Sequence, residues 1–570
     1  GTINTPEFNG LSARVTLGHS QSDGDVKNTA PKQTFAFTGP LGPYSSVTTN
    51  ERGGDNRTDS GMIAVSYKGV PNLKVDYKFD FSNWKGTLNY RQTGDVVNGV
   101  ATGFDYQTSL FVPLEGTAKN DVRGHSLIAE YALNKNLTVK YIGGFRNYDL
   151  DVPGNQVFGE AGTTDLGGGN IGTSLFAKRA ESQRQSSHEL QLIGTVGSVD
   201  WLAGLFTFEE KGSANAPVVF GTNYGGAPIG PTNTIDPAFF HYFIGGDIDV
   251  KNKSDAAYLH STWHINNQFD LSGGVRHTRD KRSEHIIAAG LLGATTGSPP
   301  VDSEFSGSHT DYDASITYKI TPEASVYAKY ATGYVSGGTL RGTKFDPEEM
   351  KAFEVGFKSE LLERRLRLNV ALFHQKRKDA QIEFFDGNTG GVLMGKSDTK
   401  ASGLEVEANA KITRNLSLNG SYGLTEATQS GDLRVTQPKH TLYLGTEYKF
   451  DRLGNGIVPS ARLDANWHSA YYTMKCPAGT AQDPGKDTCS GTVNAPVDAA
   501  TKLKSDTLLS ARASLSDIKL FGNATGRLSL WGRNLLNKHD PEYNFSLGAT
   551  TIATTFQRPR TFGVDFAMDF

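Results

Sequence analysis

Hydrophobic and polar residues alternate with a period of two along most of the chain. In LKVDYKFDFS, Leu73, Val75, Tyr77, Phe79 and Phe81 share one face, and Lys74, Asp76, Lys78, Asp80 and Ser82 share the other. DYDASITYKI sets Tyr312, Ala314, Ile316, Tyr318 and Ile320 against Asp311, Asp313, Ser315, Thr317 and Lys319. ARLDANWHSAY sets Ala461, Leu463, Ala465, Trp467 and Tyr471 against Arg462, Asp464, Asn466 and His468. Each segment predicts a β-strand with one apolar face, because successive side chains on a strand point to opposite sides. The final segment, FGVDFAMDF, places Phe562, Val564, Phe566, Met568 and Phe570 on one face. An apolar strand at the terminus of a soluble sheet would invite aggregation, whereas in a closed barrel it pairs with the first strand. The candidate partner is LSARVTLGHS, residues 11–20.

Alternation alone also fits a soluble sandwich. The connections separate the two. Tight turns fall at Val70-Pro71-Asn72, Asn134-Lys135-Asn136, Gly197-Ser198, Asn266-Asn267, Thr321-Pro322 and Thr413-Arg414-Asn415. Between them lie much longer connections, at 93–120, 150–182, 212–253, 283–307 and 473–502. Short turns at one rim and long loops at the other are the signature of a transmembrane antiparallel β-barrel. Clear strands number about 20, and two short segments near 33–38 and 44–49 bring the expected total to about 22.

Composition sharpens this picture. A 37% hydrophobic fraction and a mean hydropathy of -0.41 look soluble, but only alternate barrel positions need be apolar, so averages conceal the membrane. No apolar run is long enough for a helical span. A net charge of -3 with mixed signs gives no case for nucleic-acid binding. The two cysteines, Cys476 and Cys489, sit in one Gly/Pro/Asp-rich stretch and read as a loop-closing disulfide in an oxidising compartment; two free thiols are the alternative.

Candidate chemistry is sparse. His260 and His264 share a strand face, yet four residues of strand separate them by about 13 Å, too far to hold one metal ion. The acidic groups Asp23/Asp25 and Asp247/Asp249/Asp255 lack the twelve-residue calcium-loop pattern. There is no phosphate loop and no nucleophile elbow, so no catalytic residue, metal or cofactor is expected and the chain does not read as an enzyme. Arg276, Arg365 and Arg367 are expected on the lumen wall.

The loops carry the hint of a ligand. DPAFFHYFIGG concentrates Phe239, Phe240, Tyr242 and Phe243, and so many aromatics need cover from other loops or from a bound molecule. Tyr334, Phe384, Phe385, Tyr471 and Tyr472 are further rim candidates. Around 212–253 the charge is mildly acidic, which leans toward a neutral, hydroxamate-like or aromatic ligand.

Several stretches resemble one family. The closing QRPRTFGVDFAMDF, preceded by WGRNLLNKHDPEY, is similar to the last strands of TonB-dependent outer-membrane receptors. So, in order, are YAKYATGYVSGG, FDPEEMKAFEVGFKSELLERRLRLNVALFHQKRKDAQI and ASGLEVEANAKITRNLSLNGSYG. GTIN at residues 1–4 resembles the end of that family's N-terminal plug. The resemblance implies a remnant of the plug-to-barrel connection at 1–7, a barrel over 8–570, and a plug and TonB-binding segment upstream. It also implies a Gram-negative outer-membrane location and energisation by the TonB–ExbB–ExbD complex. The expected cargo is a small molecule, first a ferric siderophore, otherwise an aromatic compound, vitamin or oligosaccharide. A passive porin-like channel is the alternative if no plug exists, and a surface-attachment role is a third reading.

Overall fold

A computed structural model describes all residues except 31, 33, 36–37, 40–41, 44–46, 98–99, 103–104, 111, 113–114, 157–162, 166–169, 216–217, 223–239, 244–246, 287–299, 341, 387–390, 432, 478–479, 483–487 and 548–550. The single large antiparallel sheet of about 22 strands expected from the sequence is present. It comprises 25 strands, and each strand of nine residues or more pairs antiparallel with its neighbours along the chain, from Leu11–Asn28 to Thr561–Asp569. The segments near 33–38 and 44–49 contribute differently from expectation. Thr34–Phe35 pairs with Val47–Thr48 in a separate ladder outside the large sheet.

Register explains the two faces. Leu192, Ala203, Leu259, Val275 and Tyr312 are successive cross-strand partners on five adjacent strands, an unbroken apolar row. One residue along, Gln191, Gly204, Tyr258, Arg276 and Asp311 form the next row on the opposite face. A slip of one residue would exchange these rows, so burial of the apolar face against lipid fixes the pairing. The polar face is knitted by cross-strand ion pairs, Arg146 to Asp80 at 2.9 Å and Lys140 to Glu130 at 2.8 Å among them.

Several glycines have a packing role. Gly61, Gly194, Gly204, Gly356, Gly403 and Gly563 are the register partners of Phe81, Trp201, Tyr258, Tyr327, Phe373 and Trp531. In each case the ring lies across the glycine, where an added Cβ would collide with it. The missing side chain is the seat of the neighbouring aromatic.

The seam departs from the expected pairing. Thr561–Asp569 pairs with Thr525–Arg533, and no ladder joins it to Leu11–Asn28 among the described residues. The first strand's outer edge is occupied by Thr2–Asn4, paired with Arg14–Thr16. Asn9 (φ 50°) and Gly10 (φ 78°) form the tight turn between them, closed by a bridge from Phe8 to Leu11. Asn-Gly is the pair best suited to a two-residue hairpin with both φ angles positive, so local chemistry folds this segment back onto its own strand.

The long-loop rim nevertheless brings the ends together. Thr551–Phe556, from the loop before the last strand, pairs with Gln92–Val97, from the loop after the third long strand. Arg558 reaches Asp25 at 3.3 Å across the same gap. Compact apolar clusters also lie at this rim: Val26, Tyr90, Leu110 and Val112 form one, Val497 and Ile552 another, and Ile382, Leu433 and Cys476 a third. The wall thus has two solvated or lipid-facing surfaces, and conventional cores occur where loops fold on one another.

Candidate functional site

The best-built polar site lies among the loops following Gln429 and His468. The second of these carries a short helix, Ala495–Ala500, capped by Asn494, whose side chain accepts from Val497 N. A two-residue ladder pairs Tyr471 with Leu503 and Tyr472 with Lys502. Thr473 donates to the carbonyl oxygens of Thr501 at 3.0 Å and Asn544 at 2.7 Å, fastening this loop to the one before the last strand.

The ladder puts Tyr472 beneath two cations. The Arg434 guanidinium lies 4.2 Å from its ring centroid and the Lys502 ammonium 5.3 Å. Arg434 donates both Nη groups to Asp498, at 2.7 and 2.9 Å, a planar two-point pairing that only arginine can make. Asp498 holds Arg434 above its usual pKa. Tyr471 packs edge-on to His468 at 5.5 Å.

A second cationic pair lies beside the first. Burial pushes the Lys475 ammonium below its ordinary pKa, as does nearby Arg377, against the opposing pull of Glu348 and Glu383. Arg377 is itself 3.1 Å from the buried carboxylate of Glu348, which also accepts from Gln381 N at 3.0 Å. At the neighbouring loop, Tyr106 stacks on His539 at 4.6 Å with Phe556 edge-on at 5.8 Å. Burial raises Glu542 above the usual carboxylate range, with Arg558 opposing it.

The disulfide between Cys476 and Cys489 is formed, and it packs with Ile382 and Leu433 next to Lys475. Closing a loop of this size stabilises by roughly 3 kcal/mol in the chain-entropy view. Replacing both cysteines by serine is expected to speed limited proteolysis within 473–505 severalfold, while the heat-dependent gel mobility of the folded barrel stays unchanged. Loss of the folded band would show that the bridge supports the wall as well.

The sequence candidates divide. Tyr471 and Tyr472 belong to the site just described. Tyr334 stands apart on the wall, where its hydroxyl donates to Asp280 and its ring stacks on His309 at 4.5 Å. Phe239 lies outside the described residues. Phe240, Tyr242 and Phe243 fall in the short strand Phe240–Phe243, paired with Val218–Gly221, but their side chains are outside the described set, as are those of Phe384 and Phe385.

Arg276 is on the polar face, as expected, where its guanidinium lies over Phe206 and Tyr258, at 5.3 and 5.5 Å, and makes no ion pair among the described residues. Arg367 pairs with Glu360 at 2.7 Å. Arg365 is in a short turn and not on the wall: its Nε and Nη2 donate to the carbonyl oxygens of Lys411 and Ile412. His264 lies 2.7 Å from Asp270 and 3.1 Å from Asp200, whereas His260 lies 3.7 Å from Asp313, so the two histidines engage different carboxylates. Arg434, Asp498, Lys502 and Lys475 were not legible beforehand, because Arg434 comes from one loop and the other three are scattered along another, with no motif spacing to link them.

Known proteins resemble this chain throughout its length. The catecholate siderophore receptor Fiu of Escherichia coli O157:H7 is 23% identical over 432 residues, 67% of this chain and 53% of that protein, so the chain spans about half the length of this relative. The ferric yersiniabactin uptake receptor FyuA from Yersinia pestis superposes with a TM-score of 0.73 at 17% identity, covering 100% of this chain and 77% of the other. The siderophore receptor PiuA from Acinetobacter baumannii gives a TM-score of 0.70 at 16% identity, covering 100% and 78%. These two likenesses carry the fold alone. Residues 11–535 match the family model described as TonB dependent receptor-like, beta-barrel, and the chain therefore belongs to the TonB-dependent receptor β-barrel family.

Proposed function

We propose that this chain is the barrel of an outer-membrane receptor that takes up a ferric siderophore by active transport. The observation that carries the reading is the match to the receptor-barrel family over residues 11–535, joined to a built polar site at the long-loop rim. Residues 1–7 would link the barrel over 8–570 to a plug, and a TonB–ExbB–ExbD complex would supply the work. A barrel of this size has a lumen too wide for wall side chains to fill, so an upstream plug is what would make it a gated transporter instead of an open pore. The apolar row of Phe562, Val564, Phe566, Met568 and Phe570 would face lipid, and the last strand would close the wall. No step makes or breaks a covalent bond.

The rim chemistry favours an anionic aromatic cargo of the catecholate class. Tyr472 offers a ring flanked by Arg434 and Lys502, and the Lys475 ammonium has no carboxylate within ion-pair distance among the described residues. This departs from the neutral ligand suggested by the charge around 212–253. Phe239, Phe240, Tyr242, Phe243, Tyr334, Phe384 and Phe385 remain proposed contacts, with Tyr471 and Tyr472.

The test is growth of a gene-deletion strain under iron limitation. Loss of benefit from a ferric catecholate, with benefit from a ferric hydroxamate retained, is the expected result. If no iron source loses its benefit, the siderophore reading fails.

A further inference from the structure

Three adjacent short turns carry the same pattern of apolar residue, any residue, arginine. They read Leu362-Glu363-Arg364, Ile412-Thr413-Arg414 and Phe450-Asp451-Arg452. The short turns at 68–72, 135–136, 197–198, 265–268, 322–323 and 520–524 contain no arginine, so the pattern marks one sector of the rim. Its apolar side chains point outward: Leu362 is 70% exposed, Ile412 46% and Phe450 48%.

The sector is one braced surface. Arg365 donates to the carbonyl oxygens of Lys411 and Ile412, tying the first turn to the second. Asn415 Nδ2 donates to Lys449 O at 2.6 Å and to Asp451 Oδ1 at 3.2 Å, tying the second to the third. Its cations are only partly neutralised. Arg414 makes no ion pair among the described residues, and Arg364 is 3.6 Å from a Glu360 carboxylate already held by Arg367 at 2.7 Å. Arg452 does have a partner, Asp517 at 2.7 Å, and Glu363 and Asp451 are the remaining acids in the turns.

We propose that this sector docks the anionic phospholipid headgroups of the leaflet at the short-turn rim. The inference rests on the membrane-barrel reading and goes beyond transport. Exposed apolar side chains beside guanidinium groups suit the boundary between acyl chains and headgroups, where the apolar atoms leave water and the cations meet phosphate. Arginine matches a phosphate with two parallel donors, a role that falls to Arg364 and Arg414, since Arg452 already donates Nη1 to Gly456 O and Nη2 to Asp517 and adds its charge to the sector. The charge is complementary to an anionic lipid surface and poorly placed for a zwitterionic one.

Native mass spectrometry of the full-length protein in detergent, titrated with phosphatidylglycerol or phosphatidylcholine, tests this. The parent protein should retain phosphatidylglycerol about tenfold more strongly. Arg364→Gln/Arg414→Gln/Arg452→Gln should bring the two lipids to within about twofold, and the corresponding lysine triple variant should keep most of the preference. Equal retention of the two lipids by the parent would leave this rim to a protein partner and overturn the proposal, as would a glutamine variant that keeps the preference. Heat-modifiable migration in phosphatidylcholine vesicles confirms insertion of every variant. A parent that fails to insert there indicts the membrane reading instead.

Discussion

Leu259→Arg is expected to lower the stability of the barrel in lipid vesicles by about 2–4 kcal/mol, the cost of arginine on the lipid face near the bilayer midplane. Leu259 lies five residues from the short-turn end of Asp247–His264, and half a membrane-crossing strand is about five residues. Its cross-strand partners are Ala203 and Val275, and the row continues to Leu192 and Tyr312, so no acid lies in that row to receive the guanidinium. The matched control is Gln191→Arg on the opposite face, next to Glu189 and across from Lys140, where the new cation meets water, one carboxylate and one like charge that Glu130 already pairs. It should cost less than about 1 kcal/mol. Denaturant titrations in vesicles give both values. Equal costs on the two faces would contradict the assignment of lipid and lumen, and with it the membrane reading.

That assignment was legible in the sequence because register and amphipathic period are the same information: once alternation fixes a strand's apolar face, pairing must align it with its neighbours. Short turns and long loops then oriented the sheet. The seam was less legible. The apolar last strand suggested a partner at 11–20, but Asn9-Gly10, a strong local turn, directed Thr2–Asn4 to that edge. The disulfide was readable from two cysteines in one loop. The site around Tyr472 was not, since Arg434 and Asp498 are 64 residues apart and meet only after two loops fold together. Aromatic density therefore directed attention to 239–243, while the rim site is built around Tyr472, whose ring lies beneath Arg434 and Lys502.

The glycines show how much register adds to composition. The pairing assigns individual ones a seat for a neighbouring ring, and Gly204 is the sharpest case. Tyr258 lies across it, accepts from Gln191 Nε2 at 3.0 Å and donates to Glu189, with Arg276 over its ring. Gly204→Val should therefore do more than crowd the wall. Overpacking costs about 1–3 kcal/mol, and displacing the ring also breaks the hydrogen bond from Tyr258 to the Glu189 carboxyl group, a loss of about 1 kcal/mol or more. The cause can be isolated with a double-mutant cycle, because Tyr258→Ala removes the ring that the valine would strike. In that background Gly204→Val should become nearly neutral. Gly333→Ala, where the nearest atom to a new Cβ is Met350 Cε at 3.8 Å, should be neutral in both backgrounds. A Gly204→Val cost that survives loss of the Tyr258 ring would mean that the glycine serves the bend of the strand itself.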